Sequence, residues 1–217
     1  MERHNQQAAR KASYYDAFFK ILACRDSGEM GTALDLASFY LETLPDEIWQ
    51  LAYLRTLILS HNRLTSLPPR FGELRALENL KLDHNCFASI PEELFQLSSL
   101  KHLWLQSNPL GFLPEKFATF NTLETLDLHD TKLQEFPLVL LHLPSLKALY
   151  LPNNTIKTLP ASIGKLQNLE VLYLQNTKLE RLPKEIGNLQ CLESLWLQDN
   201  ELRSLPPELL KLHTLKQ

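Results

Sequence analysis

Leucine returns every 23 residues along this chain, without one insertion or deletion. Leu34, Leu57, Leu80, Leu103, Leu126, Leu149, Leu172 and Leu195 form one column. Leu36, Leu59, Leu82, Leu105, Leu128, Leu151, Leu174 and Leu197 form a second, two residues further on. A fixed period in the range of about 20–50 residues means a stack of identical supersecondary units, none of which buries its apolar face alone. Eight such units run from Gly31 to Thr214, which leaves residues 1–30 as an N-terminal cap and 31–217 as one solenoid. The repeat assigns the core, so chemistry is confined to the few columns that vary.

Each unit reads LxxLxLxx(N/T)xLxxLPxxIxxLxx, as in Leu54, Leu57, Leu59, Asn62, Leu64, Leu67, Pro68, Phe71 and Leu74. The period-two segment Leu57–Ile58–Leu59 predicts a strand. Proline recurs at one place in every unit, from Pro45 to Pro206. It has no N–H to give a sheet ladder, so it lies outside the sheet, where it suits the first turn of a short helix. The predicted fold is an α/β solenoid: a right-handed arc with a concave parallel sheet and short helical or 3-10 segments on the convex face. The column Asn62, Asn85, Asn108, Asn154 and Asn200 predicts a ladder of buried amides bonded to neighbouring turns, because an unpaired one costs about 1–3 kcal/mol. Thr131 and Thr177 interrupt it, and threonine has less bonding capacity, so units five and seven are expected to be softer.

Net charge is −3, without the basic stripe of a nucleic-acid binder. Cys24, Cys86 and Cys191 are odd in number and far apart, which suits a reducing, cytoplasmic setting. The opening MERHNQQAARK is polar with no apolar run behind it, so no secretory leader is expected. Nothing approaches membrane-spanning length.

The set Leu77, Leu80, Leu82, Asn85, Phe87, Ile90, Pro91, Leu94 and Leu97 resembles the leucine-rich repeat family. The period, the LPxxI element and the glycines after Ile163 and Ile186 look like its intracellular subclass, typified by the Ras suppressor protein and Erbin/Scribble-type scaffolds. Some bacterial effectors carry similar repeats. The resemblance covers about residues 31–217. It implies the arc and a binding role, but no particular ligand, because that subclass shares an architecture and not a partner.

The ends differ from the pattern. Residues 7–23 place Tyr15, Phe18, Phe19 and Leu22 at helical spacing, which predicts an amphipathic cap over the first repeat. A second reading leaves Tyr14, Tyr15 and Phe18 exposed for a partner. At the other end Leu215–Gln217 opens a ninth unit. This reads as a fragment of a longer protein, or as an open edge through which two copies pair.

On the strand, residues flanking the core leucines face the concave side. One column is Asp35, Ile58, Lys81, Trp104, Asp127, Tyr150, Tyr173 and Trp196; the next carries Ser60, Asp83, Gln106, His129, Gln175 and Gln198; a third carries His61, His84 and Asp130. Large aromatics on a face the fold does not need to cover are the mark of an interface. The predicted function is therefore protein–protein recognition on the concave face. Trp104, Tyr150, Tyr173 and Trp196 would anchor the partner. Ile58, His61, Lys81, Asp83, His84, Gln106, Asp127, His129, Asp130, Gln175 and Gln198 would select it, with His61 and His84 lending pH sensitivity. His61 and His84 with Asp83, Asp127, His129 and Asp130 are residue types that ligate metals, but side chains on a shallow sheet should point outward in parallel rather than converge. No metal, cofactor or catalytic residue is predicted; Cys86 near a histidine lacks an oxyanion hole or an orienting third group. The competing reading is the targeting arm of a larger enzyme, or of a bacterial effector at work in a host cell. The alternating charges Arg55, Glu78, Lys101, Glu124 and Lys147 read as lateral register between strands.

Overall fold

The computed structural model describes residues 2–216, with side chains from 12 to 28 and from 30 onward. Helix α1 covers Glu2–Asp26. Eight three-residue strands follow: β1 Ala33–Asp35, β2 Thr56–Ile58, β3 Asn79–Lys81, β4 His102–Trp104, β5 Thr125–Asp127, β6 Ala148–Tyr150, β7 Val171–Tyr173 and β8 Ser194–Trp196. They pair in sequence order in one parallel sheet. The register is the repeat itself: Leu34 faces Leu57, Leu57 faces Leu80, and so on to Leu195. The leucine-rich core is continuous, with Leu57, Leu80, Leu103, Leu126, Leu149 and Leu172 sealed from solvent.

The return path is a 3-10 turn in every unit, for example Asp46–Gln50, Glu92–Gln96 and Lys184–Asn188. The proline sits one residue earlier than expected. Pro91, Pro160 and Pro183 occupy the position before the turn in extended conformation, and their carbonyls accept the N–H three residues on (Leu94 N to Pro91 O, 3.1 Å). A fixed φ near −65° directs the chain out of the sheet, and the missing N–H is not required there. Unit two differs, since its turn begins only at Phe71. Consecutive returns stack closely. A Cβ on Gly187 would lie 2.5 Å from the Glu208 carbonyl oxygen, and one on Gly164 2.9 Å from that of Glu185, so these two positions admit only glycine without a backbone shift.

The amide ladder forms. Asn85 Nδ2 donates to the Leu59 and Leu82 carbonyls (2.9 and 3.0 Å) while its Oδ1 accepts the Leu64 N–H (3.0 Å), so one side chain ties two units. Thr131 and Thr177 donate to a carbonyl of their own unit and meet the following asparagine, Asn154 or Asn200. They are too short to reach back as asparagine does. The 4/5 and 6/7 junctions therefore carry fewer side-chain ties, which is the physical content of the predicted softness.

The cap helix buries a different stripe from the one read in the sequence. Among its described side chains, Ala17, Ile21 and Cys24 are the buried ones, spaced i, i+4, i+7. Tyr15 and Phe19 are 50% and 63% exposed, and Tyr14 and Phe18 are half-buried. The small Ala17 lets the helix approach the first repeat, and the Tyr53 hydroxyl donates to the Cys24 and Arg25 carbonyls (both 3.0 Å). The leader reading rests partly on Met1, which lies outside the described residues, as does Gln217 of the ninth unit. In the last unit Leu195, Leu197, Leu202 and Leu209 are only partly buried, and Leu210 is 83% exposed. No described helix is long and apolar enough to cross a membrane.

Candidate partner-binding surface

The strand register carries the central column across the sheet as Asp35, Ile58, Lys81, Trp104, Asp127, Tyr150, Tyr173 and Trp196, each a direct neighbour of the next. From Ile58 to Trp196 these side chains are half-buried. Adjacent strands lie about 4.7–4.9 Å apart, and the rings follow that spacing: 5.0 Å between the Tyr150 and Tyr173 centroids at 88°, and 5.2 Å between Tyr173 and Trp196 at 37°. The row is self-packed and still open on its outer side. Trp196 Nε1 donates to the Ser194 hydroxyl (2.9 Å), which fixes the indole plane. Trp104 stands apart, with the Lys81 ammonium 5.0 Å from its ring and His102 stacked beside it at 5.9 Å.

His102 was not among the residues singled out from the sequence. It belongs to a fourth concave column (Thr56, Asn79, His102, Thr125, Ala148, Val171, Ser194) on the other flank of the core leucine. Period-two alternation places that column on the same face as Ile58, and the signal was there to be read. His102 Nδ1 lies 3.0 Å from the Thr125 hydroxyl.

Between the aromatics lies Asp127. Its Oδ1 accepts the backbone N–H of His129 (3.0 Å) and stands 3.3 Å from the His129 ring nitrogen. Burial pushes the Asp127 carboxyl above its ordinary value, and the nearby Asp83 charge adds to this, while His129 opposes it. The Tyr150 hydroxyl is also raised, by burial first and then by Tyr173 and Asp127. The centre of the face is thus a partly dehydrated acid beside aromatic rings.

Two assignments change. Asp83 does not present itself to a partner: it is 7% exposed, and its carboxylate accepts the Ser60 hydroxyl at 2.6 Å. The third column owes its composition to the backbone. Ser38, His61, His84, Ser107, Asp130, Asn153, Asn176 and Asp199 all adopt φ between 51° and 62°. Only glycine and a few short polar or imidazole side chains enter this left-handed region readily, so His61, His84 and Asp130 satisfy a turn before they serve anything else. Gln106 and Gln175 are half-buried, each with a buried Oε1 that has no hydrogen-bond partner. Gln198 is exposed at the edge.

The charged column behaves as register. Glu78 accepts from Arg55 and from Lys101 (2.9 Å), and Glu124 from Lys147 (2.8 Å). These hydrogen bonds hold the Glu78 and Glu124 carboxyls below their ordinary values.

Family models described as leucine rich repeat, leucine-rich repeat region and leucine rich repeats in two copies match residues 52–110, 91–176 and 167–211. The chain belongs to the leucine-rich repeat family. No curated protein matches it. Among solved structures this leucine-rich repeat chain is similar to the ectodomain of the Arabidopsis thaliana receptor kinase GASSHO1/SCHENGEN3, solved in complex with CASPARIAN STRIP INTEGRITY FACTOR 2. Identity is 35%, coverage 78% of this chain and 21% of that one, and the TM-score 0.68. Against TLR13, solved in complex with ssRNA13, identity is 28%, coverage 90% and 29%, and the TM-score 0.76. The leucine-rich repeat domain of the type III effector XopL gives a TM-score of 0.75 at 23% identity, over 94% of this chain and 85% of that one, a likeness of fold alone. The chain spans less than a third of the length of the GASSHO1/SCHENGEN3 ectodomain chain and of the TLR13 chain. Both of these structures are complexes, one with CASPARIAN STRIP INTEGRITY FACTOR 2 and one with ssRNA13.

Proposed function

We propose that this leucine-rich repeat chain is a non-enzymatic recognition module that takes a protein partner on its concave face. The observation that carries the reading is the row Tyr150–Tyr173–Trp196, in register on three adjacent strands and half-open to solvent. Aromatic side chains of this kind, held rigidly with little entropy left to lose, dominate binding energetics. Trp104 and Lys81 give a second anchor, and Asp127, between Trp104 and Tyr150, gives an acidic point that suits a partner's lysine or arginine. The carboxylates on this face, with Lys81 their one basic neighbour in the central column, support a protein partner over a nucleic acid, which would need the opposite charge. The exposed, unpaired thiols of Cys86 and Cys191 support work in a reducing compartment.

The test is capture of partners from cell extract by the chain and by its Y173A/W196A variant, followed by titration of the captured protein. Removing both anchors should weaken binding by a few kcal/mol. Far-UV circular dichroism should stay unchanged, since neither ring belongs to the sealed core. Equal affinity of the two chains would end the proposal.

A further inference from the structure

Where β2 and β3 leave the sheet, one group of side chains does converge. The His61 and His84 rings stack at 4.1 Å and 10°. Asp83 immediately precedes His84, and one ligand-type atom from each of His61, Asp83 and His84 lies within 4.8 Å of the others. The expectation that side chains on this face do not converge fails here, at two residues that both stand in a left-handed turn after the strand (φ 57° and 52°).

Asp83 is the unusual member. It is 7% exposed, and the hydrogen bond it receives is a single neutral one, from the Ser60 hydroxyl. A carboxylate taken out of water needs strong donors or a cation in compensation. No lysine or arginine forms an ion pair with it among the described residues. The turn explains why a histidine is tolerated at either position. The register sets the two imidazoles side by side, but neither turn nor register explains a buried acid within 4.8 Å of both.

We propose that His61, Asp83 and His84 bind a divalent transition-metal ion of the borderline class, Zn²⁺ foremost. Two imidazoles and one carboxylate are the donor set such ions select, whereas Mg²⁺ and Ca²⁺ prefer oxygen alone. Bonds of ~2.0–2.1 Å put tetrahedral ligands about 3.4 Å apart, so the cluster closes by rotation of the two exposed histidine side chains while Asp83 stays in place. Three protein ligands leave a fourth position open toward the concave face. Ser60, bonded to the carboxylate, orients it from behind. This site is independent of the partner proposal and stands on different strands from the aromatic row.

The experiment is calorimetric titration of the full chain with Zn²⁺, and separately with Mg²⁺, in a C86S/C191S background so that exposed thiols contribute nothing. One equivalent of Zn²⁺ should bind, with no heat from Mg²⁺. H61N, H84N and D83N should each weaken Zn²⁺ by at least about tenfold, and S60A by about tenfold through loss of carboxylate orientation. Asparagine suits the left-handed turn, so the histidine variants keep the fold, which their urea unfolding curves would document. In NMR spectra the His61 and His84 ring resonances should move on addition of Zn²⁺, and those of His102 and His129 should not. Failure of Zn²⁺ to saturate, equal affinity in the H61N/H84N chain, equal binding of Mg²⁺, or shifts confined to other histidines would each overturn the proposal.

Discussion

Asn154 offers the sharpest test of what holds consecutive units together. It is 3% exposed. Its Oδ1 accepts the N–H groups of Leu133 (2.9 Å) and Thr131 (3.2 Å), and its Nδ2 donates to the carbonyls of Leu151 (2.8 Å) and Leu128 (2.9 Å). Asn154→Ala therefore leaves three backbone groups without partners, two of them in the preceding unit, because the Leu128 carbonyl keeps its bond from the Thr131 hydroxyl (2.6 Å). At roughly 1 kcal/mol net for each, with some relief from water entering beside the turn, the loss is about 2–3 kcal/mol. Asn200 makes the same kind of bonds at the half-exposed last unit. Water can replace them there, so Asn200→Ala should cost only about 1–2 kcal/mol. Urea unfolding read by tryptophan fluorescence makes the comparison, and the reporters are well placed: Trp49 and Trp104 precede the lesion and Trp196 follows it. In a linear stack a weakened junction uncouples its two sides, so the Trp196 signal should melt at lower urea than that of Trp104 in N154A. A loss below about 1 kcal/mol, or one no larger than that of N200A, would refute the ladder as the link between units.

Three further outcomes follow from the same geometry. Burial raises the Asp127 carboxyl in the folded state, so the fold holds this proton to higher pH than the unfolded chain does; its contribution to stability falls as pH rises through the carboxylate range. Asp127→Asn should thus gain stability relative to the wild type as pH rises from about 4 to 6, measured by thermal unfolding across that range; a pH-independent difference would show that burial does not govern this acid. Gly187→Ala forces a Cβ to within 2.5 Å of the Glu208 carbonyl oxygen, and Gly72→Ala one to within 2.8 Å of the Gln96 Cβ, so each should cost about 1–3 kcal/mol, read as a lower midpoint in denaturation curves; midpoints equal to the wild type's would show that the returns are not tightly stacked. Glu78→Gln removes the negative charge shared by Arg55 and Lys101, so its destabilisation should shrink in 1 M NaCl, seen as convergence of the two melting temperatures.

Much of this protein is set along one dimension. The 23-residue period placed every strand, the parallel register, the two core columns and the amide ladder, because a repeat copied without slippage forces residue n to sit beside residue n+23. The aromatic row followed from the same arithmetic, down to its ring spacing near 5 Å. What the period leaves open is direction in space. The left-handed turn that dictates the third column arises from how each strand must bend into its return, and it showed in the sequence only as an unexplained choice of Ser, His, Asp and Asn. Whether α1 seats Ala17 or Phe19 on the first repeat depended on how closely the helix can approach, which spacing alone does not state. Asp83 looked like its exposed neighbours until the Ser60 hydroxyl and the surrounding strands closed over it. The meeting of His61, Asp83 and His84 likewise needed two turns on adjacent strands set side by side, since convergence is a property of side-chain vectors in three dimensions and not of their order along the chain.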